Sequence, residues 1–540
     1  MSIYKNDTKM NPKFIFLLAL FLTTSVFAQK PVLLEDFTFK VGEKYKRIKS
    51  SNTYNIASGN RMVSIKKGRK NMTIQRYNLD DLKEDIKKRQ VIEDKGNFQS
   101  VMKLGENAVV FYTIKDRAYG QKISPTGIIA KKPILLVSDK ENIDRDFGFK
   151  STYGFDAGGR INKFAFKKSP DGRKLLVLFR VETSDRKADK IGITVFSDGL
   201  NLLWRRKVIL PYASDKIQNE DFMIDNKGDF YMTASIFNES LEEKNKLEST
   251  YHTEVFKITE KQKEIVRSKI DIPGKSIIDG VVEADKGGVV RVAGLYANND
   301  NKAETSGVFS ARLTDDGTIS TLIKSDIPDD KIQALIVNRE ARINEGTQKE
   351  NDKKDLEDLR VNDVLFNSDG SVTVFSEQRF VEAFTTSSSS GSRTTYKYYY
   401  RDIFAFKATK EGQMSWMHKL PKYQLGTIGK RSMSYMNFVN AGKHYLFFID
   451  DFTNLKRSFE ETPTRYFDGK KEFIYLTSYI IDDATGEATK EAILTGSDIR
   501  NARLDVLELT KAPFLPNKDI ILEAFDGKKN NLLLKISLVK

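Results

Sequence analysis

Three histidines, His252, His418 and His444, are the only imidazoles in 540 residues, and there is no cysteine. Without Cys there is no thiolate nucleophile, no Cys-ligated zinc, no iron–sulfur cluster and no disulfide framework. Each His stands apart from a second His or a carboxylate at ligand spacing, so all three read as structural or exposed. The chain carries no G-x-S-x-G elbow, no H-E-x-x-H and no phosphate loop. Carboxylates remain, and a pair about 5 to 10 Å apart would serve glycoside cleavage. With 74 Asp and Glu, however, spacing selects no pair, and the catalytic residues stay unknown.

Two acidic or amide clusters, Asp139/Asp144/Asp146 and Asn299–Asn301, suit a hard cation by type. Both lack the glycine and distal glutamate of a calcium loop and read as solvated connections. No metal site and no cofactor is expected. Basic runs at Lys66–Lys70, Lys167–Lys174 and Arg205–Lys207 belong to a net charge of +15. Such charge suits an anionic envelope polymer or an acidic partner, or simply strands with lysines facing water.

One stretch carries a recognition pattern. Thr385–Thr395 is a Ser/Thr-rich hairpin tip, and Tyr396-Lys-Tyr-Tyr-Tyr400 follows it. At a period of two, Tyr396, Tyr398 and Tyr400 share one strand face, while Lys397, Tyr399 and Arg401 share the other. Tyr rings offer flat apolar area and a hydroxyl, so Tyr396, Tyr398 and Tyr400 with Arg401 are the candidate binding residues for a glycan or peptide. The competing reading is cross-strand stabilisation of a protruding hairpin.

The elements that position these residues repeat. Strand-like segments flank an Asx/Gly turn at Tyr54–Ile65, Val101–Tyr112, Phe164–Phe179, Phe222–Met232, Val281–Val290, Val364–Phe375 and Phe438–Phe448, with a weaker eighth at Val506–Leu522. Glycine accepts the positive φ that such hairpin turns need. A third and fourth strand follow in the longer units. The fourth ends in an aliphatic residue plus proline at Leu210-Pro211, Ile272-Pro273, Ile327-Pro328 and Leu420-Pro421. Those prolines lie 62, 55 and 93 residues apart, and the long interval contains a charged stretch at 329–360. Proline cannot donate to a ladder, which places it on an edge strand. Trp204 and Trp416 occupy matching places shortly before two of these endings.

Four strands per unit of about 60 residues predicts an all-β chain: a single β-propeller of four-stranded blades, eight by this count and seven by the alternative. The sixth blade holds the insertion at 329–360, an exposed helix or linker, and the long hairpin with its tip at 384–397. The last unit supplies three strands, Leu504–Leu509, Ile520–Phe525 and Leu532–Leu538. The N-terminal segment Val32–Phe39 is expected to add a fourth and remove the open edge. A pair of β-sandwiches would explain the alternation but not the repeated aliphatic-proline ending.

The N-terminus reads as an address. Lys5, Lys9 and Lys13 precede the apolar run Phe14–Leu22, and Val26-Phe-Ala28 places small residues where a signal peptidase reads. Residues 1–28 are therefore expected to be a signal peptide and 29–540 the propeller domain. Losing three Lys and one Asp lowers the net charge from +15 to +13. An exported chain without cysteine points to a bacterial periplasm or cell surface. There, nucleic acid is a poor match for the basic charge, and an envelope protein or glycan is the expected partner.

The segments Phe196–Trp204, Tyr398–Phe406 and Gly412–Pro421 resemble secreted propellers of the quinoprotein-like and WD40-like groups, above all uncharacterised envelope propellers of Bacteroidetes-type bacteria. Quinoprotein blades carry Ala-x-Asp-x-x-Thr-Gly-x-x-x-Trp. Asp482-Asp-Ala-Thr-Gly486 matches its middle, but Ile480 stands for the Ala and Lys490 for the Trp. The other units lack Thr-Gly, which argues against a bound quinone. Together these readings favour a non-catalytic binding or scaffold module of the envelope. The alternative is an envelope hydrolase or lyase that gathers carboxylates at the propeller channel.

Overall fold

The computed structural model describes residues 36–85, 90–93, 96–144, 163–183, 188–240, 246–285, 287–350, 352–388, 391–426, 432–467, 469–515 and 517–539. The expected signal peptide lies outside the described residues. The architecture is mostly β and propeller-like, built from successive sheets that are four-stranded or close to it.

The recurring turn explains the recurring hairpin. In the fourth sheet, Ile217–Ile224 and Phe230–Phe237 are joined by a turn in which the Asp225 carboxylate accepts the N–H groups of Gly228 and Asp229, each at 2.8 Å. Gly228 sits at φ +98°, a conformation that L side chains rarely adopt. Asp285 repeats the device, accepting from Gly287 and Val289 N–H. The turn chemistry fixes the register, and the flanking segments pair antiparallel from it.

In chain order the first sheet holds Asn52–Ser58, Arg61–Lys67 and Asn71–Asn78, with two short strands added to its third. The second runs from Asn97–Leu104 to Ile134–Val137. The third runs from Ala165–Lys168 to Leu202–Ala213, and the fourth from Ile217–Ile224 to Val266–Ile270. The fifth runs from Lys275–Ala284 to Ile319–Asp326. Each of these four is a four-stranded antiparallel sheet in sequence order. The seventh joins Met436–Asn440, Lys443–Asp451, Ile474–Asp482 and Ala488–Thr495. Leading strands of neighbouring sheets touch in series, third to fourth, fourth to fifth and fifth to sixth.

Apolar faces close against one another between sheets. Phe111 of the second sheet stacks on Phe166 of the third at 4.5 Å. The aliphatic residues of the proline endings, Leu210, Ile272, Ile327 and Leu420, are all buried. Pro211 lies inside the edge strand Leu202–Ala213, where the missing donor costs no ladder bond.

The last sheet departs from expectation. Leu504–Leu509 is not a strand: Leu504, Leu507 and Leu509 are all buried, but at spacings of three and two that fit a packed turn and a short 3₁₀ turn at Leu509–Lys511. The strands are Ile520–Phe525 and Asn530–Leu538. The N-terminal strand Phe37–Val41 pairs antiparallel with the second of these, from Phe37 opposite Leu538 to Val41 opposite Leu534. The two ends of the described chain therefore share one sheet.

The sixth sheet is enlarged. Leu359–Phe366, Val372–Ser388, Gly391–Ala408 and Met414–Leu420 form its four-stranded body. The outer half of the long hairpin also takes Gln424–Gly426, which in turn pairs in parallel with Tyr466–Phe467. Within 329–360, Pro328 opens helix α1 (Asp329–Asn344), with Asp329 and Asp330 in its first turn. Its mostly exposed surface is anchored by buried Arg342, which donates to Gln348 at 2.9 Å and pairs with Asp355 at 3.1 Å. No helix among the described residues is long and apolar enough to cross a membrane.

Candidate functional site

The leading strands of five successive sheets, third to seventh, each place one polar side chain in a common network. These are Lys167, Asp221, Glu283, Asp363 and Asn437. Lys167 Nζ pairs with Asp221 Oδ1 at 3.0 Å, and Asp221 Oδ2 accepts the N–H of Val282 on the next sheet at 3.0 Å. Asp363 Oδ2 accepts from Asn437 Nδ2 of the following sheet at 2.6 Å. Asp279 makes the same step between the fifth and sixth sheets, accepting the N–H of Val361 at 2.8 Å.

A backbone feature aims these aspartates. Asp221, Asp279 and Asp363 are each the first paired residue beyond an irregularity in the strand register, after Asn219, Ile277 and Val361 respectively. A bulge re-aims the side chain that follows it, here toward the neighbouring sheet instead of along its own.

The electrostatics separate the carboxylates. Glu283 is exposed to water at its own surface, yet enough protein surrounds it to desolvate the carboxyl. Desolvation pushes its carboxyl up to about 7. The charge of Asp363 adds to this, Lys167 opposes it, and Asp221 contributes a smaller push. Desolvation likewise pushes the half-buried Asp363 up to about 6, against the hydrogen bonds from Asn437 and the Val364 N–H. Two carboxyl groups on neighbouring sheets, both raised toward neutrality, are equipped to donate and accept protons or to bind a polar ligand. Among the described residues no group of three or more His, Asp or Glu side chains is gathered as a metal ion would need.

The tyrosine row is graded from surface to core. Tyr396, opposite Ala383, is exposed, Tyr398 is half-buried, and Tyr400 is 3 % exposed among Phe37, Tyr445 and Tyr466. Only the outer end of that face can meet a partner. The opposite face carries Arg401 and a series of ring contacts. Lys397 Nζ lies 4.1 Å from the Phe384 ring, and Phe380 stacks on Tyr399 at 4.6 Å. Arg401 lies 4.8 Å over Tyr423, and Arg465 lies 4.0 Å over Phe467. Tyr399 also donates its hydroxyl to Glu382 at 2.7 Å. Phe384 and Phe467 remain exposed.

The histidines sit on three sheets. His252 contacts Glu254 at 3.2 Å on the fourth. His418 of the sixth and His444 of the seventh both meet the 482–486 turn, at Gly486 O and at the Asp483 carboxylate (2.9 Å). Burial holds both imidazoles below the ordinary histidine range. Asp139 pairs with Arg117 at 2.8 Å, Asn299 accepts from Ser276, and Asp146 lies outside the described residues.

No protein-family model matches the chain, and no curated protein sequence matches it. Solved structures do resemble it in fold. A quinohemoprotein alcohol dehydrogenase of Pseudomonas putida is similar over 93% of this chain and 76% of that one, at 9% identity and a TM-score of 0.41. A protein of unknown function from Bacteroides caccae is similar over 68% of this chain and 94% of that one, at 11% identity and a TM-score of 0.26. An uncharacterized Listeria monocytogenes protein covers 74% of this chain and 85% of its own, at 9% identity and a TM-score of 0.33.

Proposed function

We propose that the chain is an exported eight-bladed β-propeller acting as a binding or scaffold module of the bacterial envelope, with the sixth-sheet hairpin as its docking element. The observation that carries this reading is the hairpin itself. It runs past the leading strand of its own sheet to Ser388 and Gly391 and keeps Phe384 and Tyr396 exposed. Exposed rings beside stacked cations suit an envelope protein or an anionic glycan. The test is retention from envelope extracts by the full chain and by a variant lacking residues 386–395 with Phe384→Ser and Tyr396→Ala. Equal retention of a partner by both proteins overturns the docking role.

A second reading, an envelope carbohydrate hydrolase or lyase, is favoured by one observation: Glu283 and Asp363 hold raised carboxyls on adjacent leading strands, and the charge of Asp363 adds to the shift of Glu283. Glycan turnover by the wild type that Glu283→Gln abolishes would establish it and displace the non-catalytic reading.

A further inference from the structure

The leading strands of the first and eighth sheets enclose a cavity with the 506–512 turn region, near the sheet that the two chain ends share. Its volume is about 80 Å³, several times the ~10–15 Å³ that one water needs. The walls are polar in a specific way. Glu508 and Glu523 supply two carboxylates, and Arg47 and Lys511 supply two cations. Asn531, only 6 % exposed, also lines the cavity, and its Oδ1 has no hydrogen-bond partner among the described residues. The Oδ1 of Asn55, another lining residue, is unpartnered as well.

Buried amide oxygens without donors are costly, and a ligand N–H or O–H would relieve that cost. The ionisable lining residues balance, two of each sign, and Glu523 also holds buried Lys66 and the Tyr45 hydroxyl on its Oε1, which leaves Glu508 as the carboxylate nearer to free. A lone anion or cation would therefore find one pair of like charges and one of opposite charge. A molecule carrying both signs meets both: its ammonium at the carboxylates and amide oxygens, its carboxylate at the cations. The cations are already held in place by rings, Arg47 over Phe525 at 4.0 Å and Lys511 over Tyr54 at 5.5 Å, while Lys511 also pairs with Glu508 at 2.8 Å. The volume suits the small members of the class.

We propose that this cavity is a binding site for a small zwitterion, an α-amino acid of glycine or alanine size. The site is separate from the hairpin and from the Glu283–Asp363 network, so its failure would leave both readings of function untouched.

The experiment is saturation-transfer NMR and calorimetry on the full chain with glycine, L-alanine, D-alanine, leucine, acetate and methylammonium as separate probes. Saturable binding of glycine or alanine is expected, with acetate, methylammonium and leucine at least tenfold weaker. Glu508→Gln and Lys511→Met, both at half-buried turn positions, should each weaken glycine binding tenfold or more with an unchanged circular dichroism spectrum. No saturable amino-acid binding, equal binding of acetate or methylammonium, or unchanged affinity in both folded variants would overturn the proposal.

Discussion

The indole N–H of Trp416 donates to the backbone carbonyl of Asp483 at 3.0 Å, carrying a bond from the sixth sheet to the first turn residue of the seventh sheet's Asp-Ala-Thr-Gly segment. Trp204 does the same between the third and fourth sheets, donating to Gly228 O at 3.0 Å. A repeated sequence feature thus becomes a repeated inter-sheet fastening. The two sites differ in tightness. A Cβ on Gly486 would stand 2.5 Å from Trp416 Cγ, whereas a Cβ on Gly228 meets nothing nearer than 3.4 Å. Both glycines have positive φ. Gly228→Ala should therefore cost about 1 kcal/mol of backbone strain, and Gly486→Ala about 3 kcal/mol once overpacking is added. Urea unfolding of the two variants reads the difference, and equal losses would contradict the close ring contact.

Stability should respond to pH through the Glu283–Asp363 pair. Both folded pKa values, about 7 and about 6, lie above those of the unfolded chain. The folded state therefore binds more protons over this interval. The contribution of these groups is fully present below pH 4 and is lost as pH rises through 6 and 7. Glu283→Gln removes the titrating charge. The variant should match wild type in urea midpoint at pH 4 and exceed it at pH 8. A constant difference between the two proteins across that range would show that Glu283 titrates normally.

Much of this was legible in the linear chain. The Asx/Gly turns declare themselves because only particular residues satisfy their backbone, and the aliphatic-proline endings mark edge strands for the same kind of reason. Part of the network was legible too. Asp221 and Asp363 each stand four residues before an Asx, with glycine three further on: Asp221…Asp225…Gly228 and Asp363…Asn367…Gly370. Glu283 had no such mark, because its raised carboxyl comes from desolvation by the surrounding protein and from the charge of Asp363 on another sheet, against the pull of Lys167. Tyr400 misled for the converse reason. Strand period gives the face of a side chain but not what packs on that face, and Tyr400 is buried in a cluster with Phe37, Tyr445 and Tyr466. Leu504–Leu509 failed as a strand because apolar content outweighed its lack of alternation.

A buried ion pair ties the sixth sheet to the segment after it. Lys422 and Glu377 are both fully buried, with Nζ and Oε1 at 2.7 Å, and Lys422 also donates to Tyr400 O at 3.0 Å. Burial favours the neutral form of Lys422 and pulls its pKa down, while the Glu377 charge opposes that pull. Lys422→Met leaves the buried Glu377 without its nearer cation, with Arg379 Nε at 3.6 Å remaining, and should cost about 3 kcal/mol. Adding Glu377→Gln should recover more than half of that loss. Chemical denaturation of the two variants measures both steps, and a single variant as stable as wild type would show that water reaches Glu377.

The junction of the chain ends offers the last test, because one ring connects two sheets that are far apart in sequence from it. Phe37 lies in the N-terminal strand that pairs with Asn530–Leu538, and its ring contacts Tyr445 at 5.4 Å and Phe447 at 5.3 Å on the seventh sheet. Phe37→Ala removes a buried ring from this three-way contact and should cost about 3–5 kcal/mol. If the last sheet is integral to the assembly, the loss lowers the midpoint of one cooperative transition seen alike by tryptophan fluorescence and circular dichroism. The tryptophans report from the third and sixth sheets, so a circular dichroism transition that moves while fluorescence stays put would mean that the shared sheet melts on its own. The contacts of Phe37 with the seventh sheet predict the first outcome, since freeing the N-terminal strand also uncovers Tyr445 and Phe447.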